Sequence, residues 1–276
     1  MTRLDLAYEE VEEILSNEDL HHEMKSYKKM EIHEIEIYQK NDVIQNDPGQ
    51  YTTIEFEDLD DHQKREDVSD VIAECLKKML PENIHKVLVA GLGNQNVTAD
   101  SLGPDTADQI IVTAHLNESI RGNCPKIAVL SPGVMGQTGI ETAKIIQAVA
   151  QSEKPDVVIA IDALATKSLK RINHVIQISD TGIHPGSGVK NKRMGLNEET
   201  LQVKVISMGV ATVMSVEHLI EEKLKEANGL FLMEKMTTNQ LDMVVTPKEI
   251  DEVKLHLAEV LALGINKALI PELSKR

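Results

Sequence analysis

Between residues 86 and 209 the chain alternates short apolar segments with longer segments in which apolar residues recur at helical spacing. The apolar segments are KVLVAG (86–91), KIAVLSPG (126–133), DVVIAIDA (156–163), HVIQIS (174–179) and VKVISMG (203–209). They show little inside–outside alternation, which is typical of strands buried on both faces of a parallel sheet. Repeated strand–helix–strand units predict a three-layer α/β/α sandwich with a mostly parallel sheet and right-handed crossovers, of the phosphorylase/hydrolase-like kind.

Helical spacing of apolar residues also extends beyond the predicted sheet. The predicted helices are 64–80, 105–116, 139–151, 215–227 and 246–269. The last helix is expected to start at Thr246 as N-cap, with Pro247 as its first residue and Glu249 completing a capping box. Cys75 falls on the apolar face of the first helix, which predicts a buried core thiol and not a nucleophile.

The N-terminal quarter of the chain is more polar and has weaker patterns. We predict a short helix at 7–15, and strands at 31–38 and 51–57 that pair as a hairpin or form a small lobe. The adjacent His21 and His22, together with His33, raise the alternative of a metal site, but exposed histidines in a polar helix are the preferred interpretation. We expect one domain over 1–276, divided into a short propeptide at 1–5, an N-terminal addition at 6–62 and the α/β/α core at 63–276.

Charge and composition exclude several classes of function. The net charge is −16, and the chain has no Trp and only two Phe, so direct binding to nucleic acid by charge or base stacking is not expected. Two cysteines fit neither a disulfide framework nor a zinc site, which favours a reducing compartment. The N-terminus lacks the apolar core of a signal peptide, and no apolar run reaches membrane-spanning length. We therefore predict a soluble cytoplasmic protein without a membrane partner.

Polar, glycine-containing loops follow the predicted strands, at the edge where parallel sheets form their crevices. These loops are 91–105, 131–139, 162–168, 179–193 and 208–215. Asp162 follows a run of apolar residues, so partial burial is expected to raise its pKa. Asp100 lies in a loop long enough to fold over the same edge. Together they would act as a carboxylate pair, with one group taking a proton from water and the other giving one to a scissile amide.

Each aspartate also has a purely structural interpretation, in which Asp162 caps the next helix and Asp100 stabilises a turn. Three other patterns point elsewhere. GLGN resembles a dinucleotide-binding turn, but Asn96 stands where the pattern requires glycine. Asp180-Thr181-Gly182 matches the pepsin tripeptide, but neither its second copy nor an all-β pattern is present. Asp100, Asp162 and His184 could together bind a divalent metal ion, and this alternative stays open.

Several longer blocks resemble the germination proteases of spore-forming bacteria. The blocks are GLGNQNVTADSLGP (91–104), SPGVMGQTGIET (131–142), KPDVVIAIDALATKS (154–168), ISDTGIHPGSGVKNKR (178–193) and VTPKEID (245–251). The resemblance implies an α/β/α fold similar to that of hydrogenase maturation endopeptidases. It also implies an atypical aspartic endopeptidase whose acid pair is Asp100 and Asp162, without a cofactor. Alternatively, His184 completes a metal site as in the maturation enzymes.

The resemblance further implies a substrate and a mode of regulation. Germination proteases degrade the small acid-soluble proteins that coat DNA in the spore core, and they are made as tetrameric zymogens that cut themselves. Arg3-Leu4-Asp5-Leu6-Ala7 is similar to the self-cleavage sequence, which places the cut between Asp5 and Leu6. Two features differ from the family pattern: only five residues precede that bond, and the region 210–244 is short.

Other residues of the polar loops that follow the predicted strands, called the rim loops below, are assigned supporting or substrate-binding roles. They are Asn94, Asn96, Gly136, Asp180, His184, Lys192 and Arg193. A competing hypothesis from another class is a non-catalytic binding module that retains these loops.

Overall fold

A computed structural model describes residues 5–12, 14–184, 194–228 and 243–273. The strands are β1 (Leu20–Tyr27), β2 (Met30–Ile37), β3 (Gly49–Glu55), β4 (Lys86–Gly91), β5 (Lys126–Leu130), β6 (Val157–Thr166), β7 (Val175–Ser179), β8 (Lys204–Ser215) and β9 (Val244–Val245). Within the described residues they form one nine-stranded sheet of order β1-β2-β3-β7-β8-β6-β4-β5, and β9 pairs with β8.

The sheet has a parallel half and an antiparallel half. Strands β8, β6, β4 and β5 are parallel neighbours. Strands β1, β2, β3 and β7 are joined by antiparallel pairing, and β7 is also antiparallel to β8. The prediction that 174–179 belongs with the parallel strands is wrong, because β7 runs opposite to β8. The N-terminal addition extends the main sheet, since β3 pairs with β7.

Helices cover both faces of the sheet. They are α1 (Ala7–Val11), α2 (His62–Met79), α3 (Leu102–Ala107), α4 (Glu118–Arg121), α5 (Met135–Thr138), α6 (Thr142–Glu153), α7 (Glu198–Leu201), α8 (Val216–Glu226) and α9 (Ile250–Leu269), with 3₁₀ turns at Thr98–Asp100 and Leu169–Arg171. Buried side chains of α2, α3 and α9 pack on one face of the parallel half. Those of α6 and α7 pack on the other face. The predicted α/β/α class is therefore confirmed.

Alternating burial explains why the two faces have separate cores. Val87, Val89, Val157 and Ile159 face α2 and α9, whereas Leu88 faces α6. Cys75 lies in the first core, where burial raises the pKa of its thiol to about 11. The prediction of an inert core thiol is thus consistent with its surroundings. No helix in the described part of the chain is long and apolar enough to cross a membrane.

Two predicted helix boundaries are wrong because tertiary hydrogen bonds replace helical ones. The helix expected over 105–116 ends at Ala107, and the next β-branched residues bond elsewhere: Ile111 N donates to Asn266 Oδ1 and Thr113 N donates to Ile127 O. Thr246 does not cap α9, since its hydroxyl donates to Thr212 O at 2.8 Å and the helix begins at Ile250.

The expected polar helix at His21 and His22 is also wrong. Both residues lie in β1, where His22 pairs with Ile35. His22 Nε2 lies 3.0 Å from His33 Nδ1, and the ring of Tyr8 stacks on His33 with a centroid distance of 3.9 Å. Burial lowers the pKa of both His22 and His33. These histidines belong to a packed contact between α1 and the antiparallel half.

Candidate active site

The crevice predicted at the carboxyl edge of the parallel strands lies where β4 stops while its neighbour β6 continues. The last residue of β4, Gly91, pairs with Ile161 of β6. Asp162 is the next residue of β6, and this strand goes on to Thr166 beside β8, so the predicted loop 162–168 is strand as far as Thr166 and the predicted loop 208–215 is part of β8. The pairing of β6 with β4 therefore stops one residue before Asp162, yet only 8% of the surface of Asp162 is exposed. This is the open carboxyl edge at which α/β sheets place ligands.

Three effects raise the pKa of Asp162 well above its ordinary value of 3.8. Burial contributes most, the negative charge of Asp100 comes next, and the Asp5 charge adds to both. A hydrogen bond that Ala163 N donates to Asp162 Oδ1 at 2.9 Å opposes them. The protonated form is therefore favoured, as expected for a carboxyl group that donates a proton.

Asp100 is held in the same crevice by a tight turn. Asn94 N lies 2.8 Å from Asp100 Oδ2 and 3.1 Å from Asp100 O, and so contacts both the side chain and the backbone. Gly93 has a φ of +111°, and a Cβ there would lie 2.0 Å from Asp100 O. The glycine turn thus serves the close approach of two backbone segments. The charge of Asp100 raises the pKa of Asp162, as expected for two carboxyl groups that face the same crevice.

The neighbouring rim residues join two loops. Asn94 Oδ1 accepts hydrogen bonds from Asn96 N at 3.0 Å and from Gln137 Nε2 at 2.6 Å. This links the loop that carries Asp100 to the loop that contains α5. Gly136 lies exposed in α5, and a Cβ built on it would have no neighbour within 4 Å. Asn94 therefore organises the rim, whereas Asn96 and Gly136 are open to solvent.

Asp180 and His184 are held by the antiparallel half. Asp180 Oδ1 accepts a hydrogen bond from Gln50 N at 2.8 Å, at the end of the β3–β7 pairing. His184 Nε2 lies 3.5 Å from Asp47 Oδ2. Among the described residues no group of three or more His, Cys, Asp or Glu side chains is arranged to hold a metal ion. The predicted set of Asp100, Asp162 and His184 is not brought together. Lys192 and Arg193 lie outside the described residues.

Asp5, Leu6 and Ala7 of the predicted self-cleavage sequence lie beside the crevice; Arg3 and Leu4 lie outside the described residues. Asp5 Oδ2 accepts a hydrogen bond from Ala165 N at 2.9 Å, three residues beyond Asp162 on β6. Leu6 is fully buried in an apolar cluster with Leu164, Val175 and Ala211. The Asp5–Leu6 peptide bond therefore lies close to the buried carboxylate that was predicted to cleave it.

Residues that sequence reasoning missed hold this segment and the Asp100 turn. Gln177 of β7 bonds to Asp5 and Ala7 through its side-chain amide. Lys254 of α9 lies 2.7 Å from Ser101 Oγ and 2.9 Å from Asp105 Oδ2, next to Asp100. The signal for Gln177 was a polar residue inside the apolar run VIQIS. Lys254 gave no such signal, because lysines are common in exposed helix faces.

Comparisons with known proteins place the chain in a family. The family model described as germination protease matches residues 4–225. The germination protease of Clostridium tetani is 39% identical over 257 residues, covering 82% of this chain and 80% of the relative. That of Caldanaerobacter subterraneus subsp. tengcongensis is 40% identical over 261 residues, covering 83% and 80%.

Among solved structures, the NiFe hydrogenase maturation protease HycI from Thermococcus kodakarensis KOD1 aligns with a TM-score of 0.38 and 18% identity, over 70% of this chain and 99% of that chain. The family model and the relatives each span most of the present chain. The chain therefore belongs to the germination protease family and is a protease.

Proposed function

We propose that this protease is an endopeptidase that starts the degradation of small acid-soluble, DNA-binding spore proteins, using Asp100 and Asp162 to activate water. The observation that carries the proposal is the buried Asp162, whose pKa is raised by burial and by the charge of Asp100. Two neighbouring carboxyl groups tend to share a proton, because two negative charges repel each other, and their titration belongs to the pair. The site would cleave with one ionised and one protonated group.

The geometry supports a division of labour within the pair. Asp162 begins protonated and donates to the leaving nitrogen, because burial favours its neutral form. Asp100 accepts the proton of the attacking water, held in position by the Asn94 backbone amide. Attack forms a tetrahedral carbon, and its collapse leaves a new carboxyl group and a new amine.

The proposal includes regulation by self-cleavage between Asp5 and Leu6. The supporting observations are the hydrogen bond from Ala165 N to the Asp5 carboxylate and the burial of Leu6 against Leu164. Assembly as a homotetramer and action in the forespore or spore core complete the proposal, and both rest on the family alone. A binding module without activity is not favoured, because the chain belongs to a protease family.

The metal-dependent alternative has less support from the geometry. His184 Nε2 lies 3.5 Å from Asp47 Oδ2 in the loop before β3, and the described residues include no group of three or more His, Cys, Asp or Glu side chains arranged to hold a metal ion. We therefore propose a mechanism without a cofactor.

Asp162→Asn and Asp100→Asn test the proposal, with Asp108→Asn, an exposed residue at the end of α3, as matched control. Each Asn variant is expected to slow cleavage of a purified small acid-soluble spore protein by about 10³-fold, because an amide neither accepts nor donates the required proton. Mass spectrometry of substrate and enzyme follows both substrate cleavage and loss of residues 1–5.

Cleavage at the wild-type rate in both Asn variants would refute the pair. Loss of wild-type activity in EDTA, with recovery on adding a divalent ion, would instead favour the metal-dependent mechanism. Asp108→Asn should cleave like the wild type.

A further inference from the structure

Four residues form a row across the sheet, and the row passes through the crevice. Thr53 of β3 pairs with Gln177 of β7, Gln177 pairs with Gly209 of β8, and Gly209 pairs with Asp162 of β6. Paired residues on neighbouring strands point to the same face of a sheet. With strands about 4.8 Å apart, the backbones of Gln177 and Asp162 lie roughly 10 Å from each other. The amide of Gln177 and the carboxyl group of Asp162 therefore lie on the same face of the sheet, with Gly209 between them.

Gly209 leaves the middle of this row without a side chain. A Cβ at Gly209 would lie 2.5 Å from Asp162 O and 2.7 Å from Leu164 Cγ. Leu164 occupies the space instead and packs against Leu6. The apolar floor between Gln177 and Asp162 thus supports the residue that follows the proposed scissile bond.

Gln177 contacts the chain on both sides of that bond. Its Nε2 donates to Asp5 O at 2.8 Å, and its Oε1 accepts from Ala7 N at 2.7 Å. Because one partner is a carbonyl and the other an N–H group, the orientation of the amide is determined. Asp5 O is the carbonyl oxygen of the Asp5–Leu6 peptide bond. The amide is 7% exposed, so these contacts are made away from bulk water.

We propose that Gln177 is a catalytic residue of self-cleavage, which polarises the Asp5 carbonyl and stabilises the oxyanion that forms on Asp5 O. The inference rests on the proposed function, since it takes Asp5–Leu6 as the bond that is cut. Water adds to the Asp5 carbonyl carbon, the bond to Leu6 N breaks, Asp5 keeps the new carboxyl group and Leu6 N leaves as an amine. A donor aimed at the developing charge acts most strongly in such a water-poor site. The bond from Ala7 N keeps the segment in place during this reaction.

The test compares Gln177→Glu with the wild type in self-cleavage of the full chain, followed by intact-mass spectrometry. Glutamate keeps an oxygen for Ala7 N but loses the N–H that faces Asp5 O. We expect self-cleavage to slow about 100-fold at pH 7, the usual cost of removing one oxyanion donor. A protonated glutamate can donate again, so the ratio of mutant to wild-type rates should rise towards one as the pH falls below about 5.

Thr53→Val is the matched control, since Thr53 is the next residue of the same row and its hydroxyl has no hydrogen-bond partner among the described residues. This variant should cut itself like the wild type. Circular dichroism and thermal unfolding verify that each variant is folded. Hydrogen exchange of the Ala7 amide separates this role from a merely structural one: the amide stays protected in Gln177→Glu if only the donor to Asp5 O is lost, and it loses protection if the variant displaces residues 5–7.

The possible results separate this inference from the proposed function. If Asp162→Asn abolishes cleavage while Gln177→Glu cuts Asp5–Leu6 at the wild-type rate, the role of Gln177 is refuted and the carboxylate pair stands. A constant rate ratio across pH also refutes it. If the wild type cuts neither Asp5–Leu6 nor a small acid-soluble spore protein, both proposals fail.

Discussion

The two halves of the sheet differ in strand direction, in burial and in the polar groups that they carry. Strands β4, β5, β6 and β8 are parallel and covered by helices on both faces; Asp100 lies in the loop after β4, and Asp162 lies within β6. Strands β1, β2, β3 and β7 are antiparallel, and most of β1 is exposed. The parallel half carries the acid pair, whereas β7 of the antiparallel half carries the amide that contacts Asp5. The proposed reaction therefore needs both halves in register.

The N-terminal segment joins the two halves through buried charges. Glu9 of α1 lies at the end of β6, where Lys167 N donates to Glu9 Oε2 at 2.9 Å. Arg171 contacts Glu9 at 3.5 Å, Glu12 at 2.7 Å and Glu55 of β3 at 2.9 Å. Burial raises the pKa of Glu9, so its charge depends on these partners. Arg171 thus links α1 both to β3 of the antiparallel half and, through Glu9, to the end of β6 in the parallel half.

The largest stability effect is expected from Arg171→Met. The variant leaves three carboxylates around an empty position, and Glu9 among them is buried. Loss of one partner of a buried ion pair costs about 3–5 kcal/mol. Urea unfolding at pH 7 measures this cost, with Asp162→Asn present in both proteins because it is expected to prevent self-cleavage. A change below about 1 kcal/mol would mean that the ion pairs of Arg171 contribute little to holding α1 on the sheet.

A smaller effect of opposite sign is expected from Asp162→Asn at neutral pH. The pKa of Asp162 is raised in the folded state, so between 3.8 and that higher value the folded protein binds more protons than the unfolded chain. Stability therefore falls as pH rises through this window, and ionised Asp162 is destabilising above it. Asparagine carries no charge, so the variant is expected to be more stable than the wild type above this window.

Thermal unfolding of Asp162→Asn and Asp108→Asn from pH 3 to pH 8 checks the sign. The gain for Asp162→Asn should disappear near pH 3, where aspartate is protonated in both states. A gain that persists unchanged at low pH would show that the amide improves packing, and that burial of the charge is not the cause.

The smallest effect is expected from Glu226→Gln on α8. Lys223 Nζ lies 2.9 Å from Glu226 Oε2, and the two side chains are 52% and 59% exposed. Exposed pairs of this spacing contribute at most about 0.5 kcal/mol and are screened by salt. Urea unfolding at low and high salt provides the contrast with Arg171. An effect as large as that of Arg171→Met would mean that burial does not explain the difference between the two ion pairs.

Prediction from the sequence succeeded where burial on both faces leaves a pattern. The apolar runs that became β4, β5 and β6 were located within a few residues, and α2 and α9 followed from helical spacing. The direction of β7 was missed because its residues are as buried as those of a parallel strand. Strand β1 was missed because exposure on both sides removes the alternation by which a strand is recognised.

The site was predictable to the level of its carboxyl groups. Asp100 lies in the turn after β4, and Asp162 lies within β6 where it extends beyond the end of β4. Their catalytic role stays a prediction. Asn94 organises the Asp100 turn, whereas His184 bonds to Asp47, a contact between residues far apart in the chain. Gln177 and Arg171 could not be assigned, because their partners lie in the N-terminal segment.

The sequence by itself determined the class of fold, the covered parallel strands and the two aspartates, since apolar periodicity and polar loops are local properties. Only the tertiary structure decided which half of the sheet β7 joins, which face Gln177 shares with Asp162, and where the bond after Asp5 lies. The physical reason is that strand pairing and buried hydrogen bonds join residues more than a hundred positions apart. Composition and spacing along the chain do not contain that information.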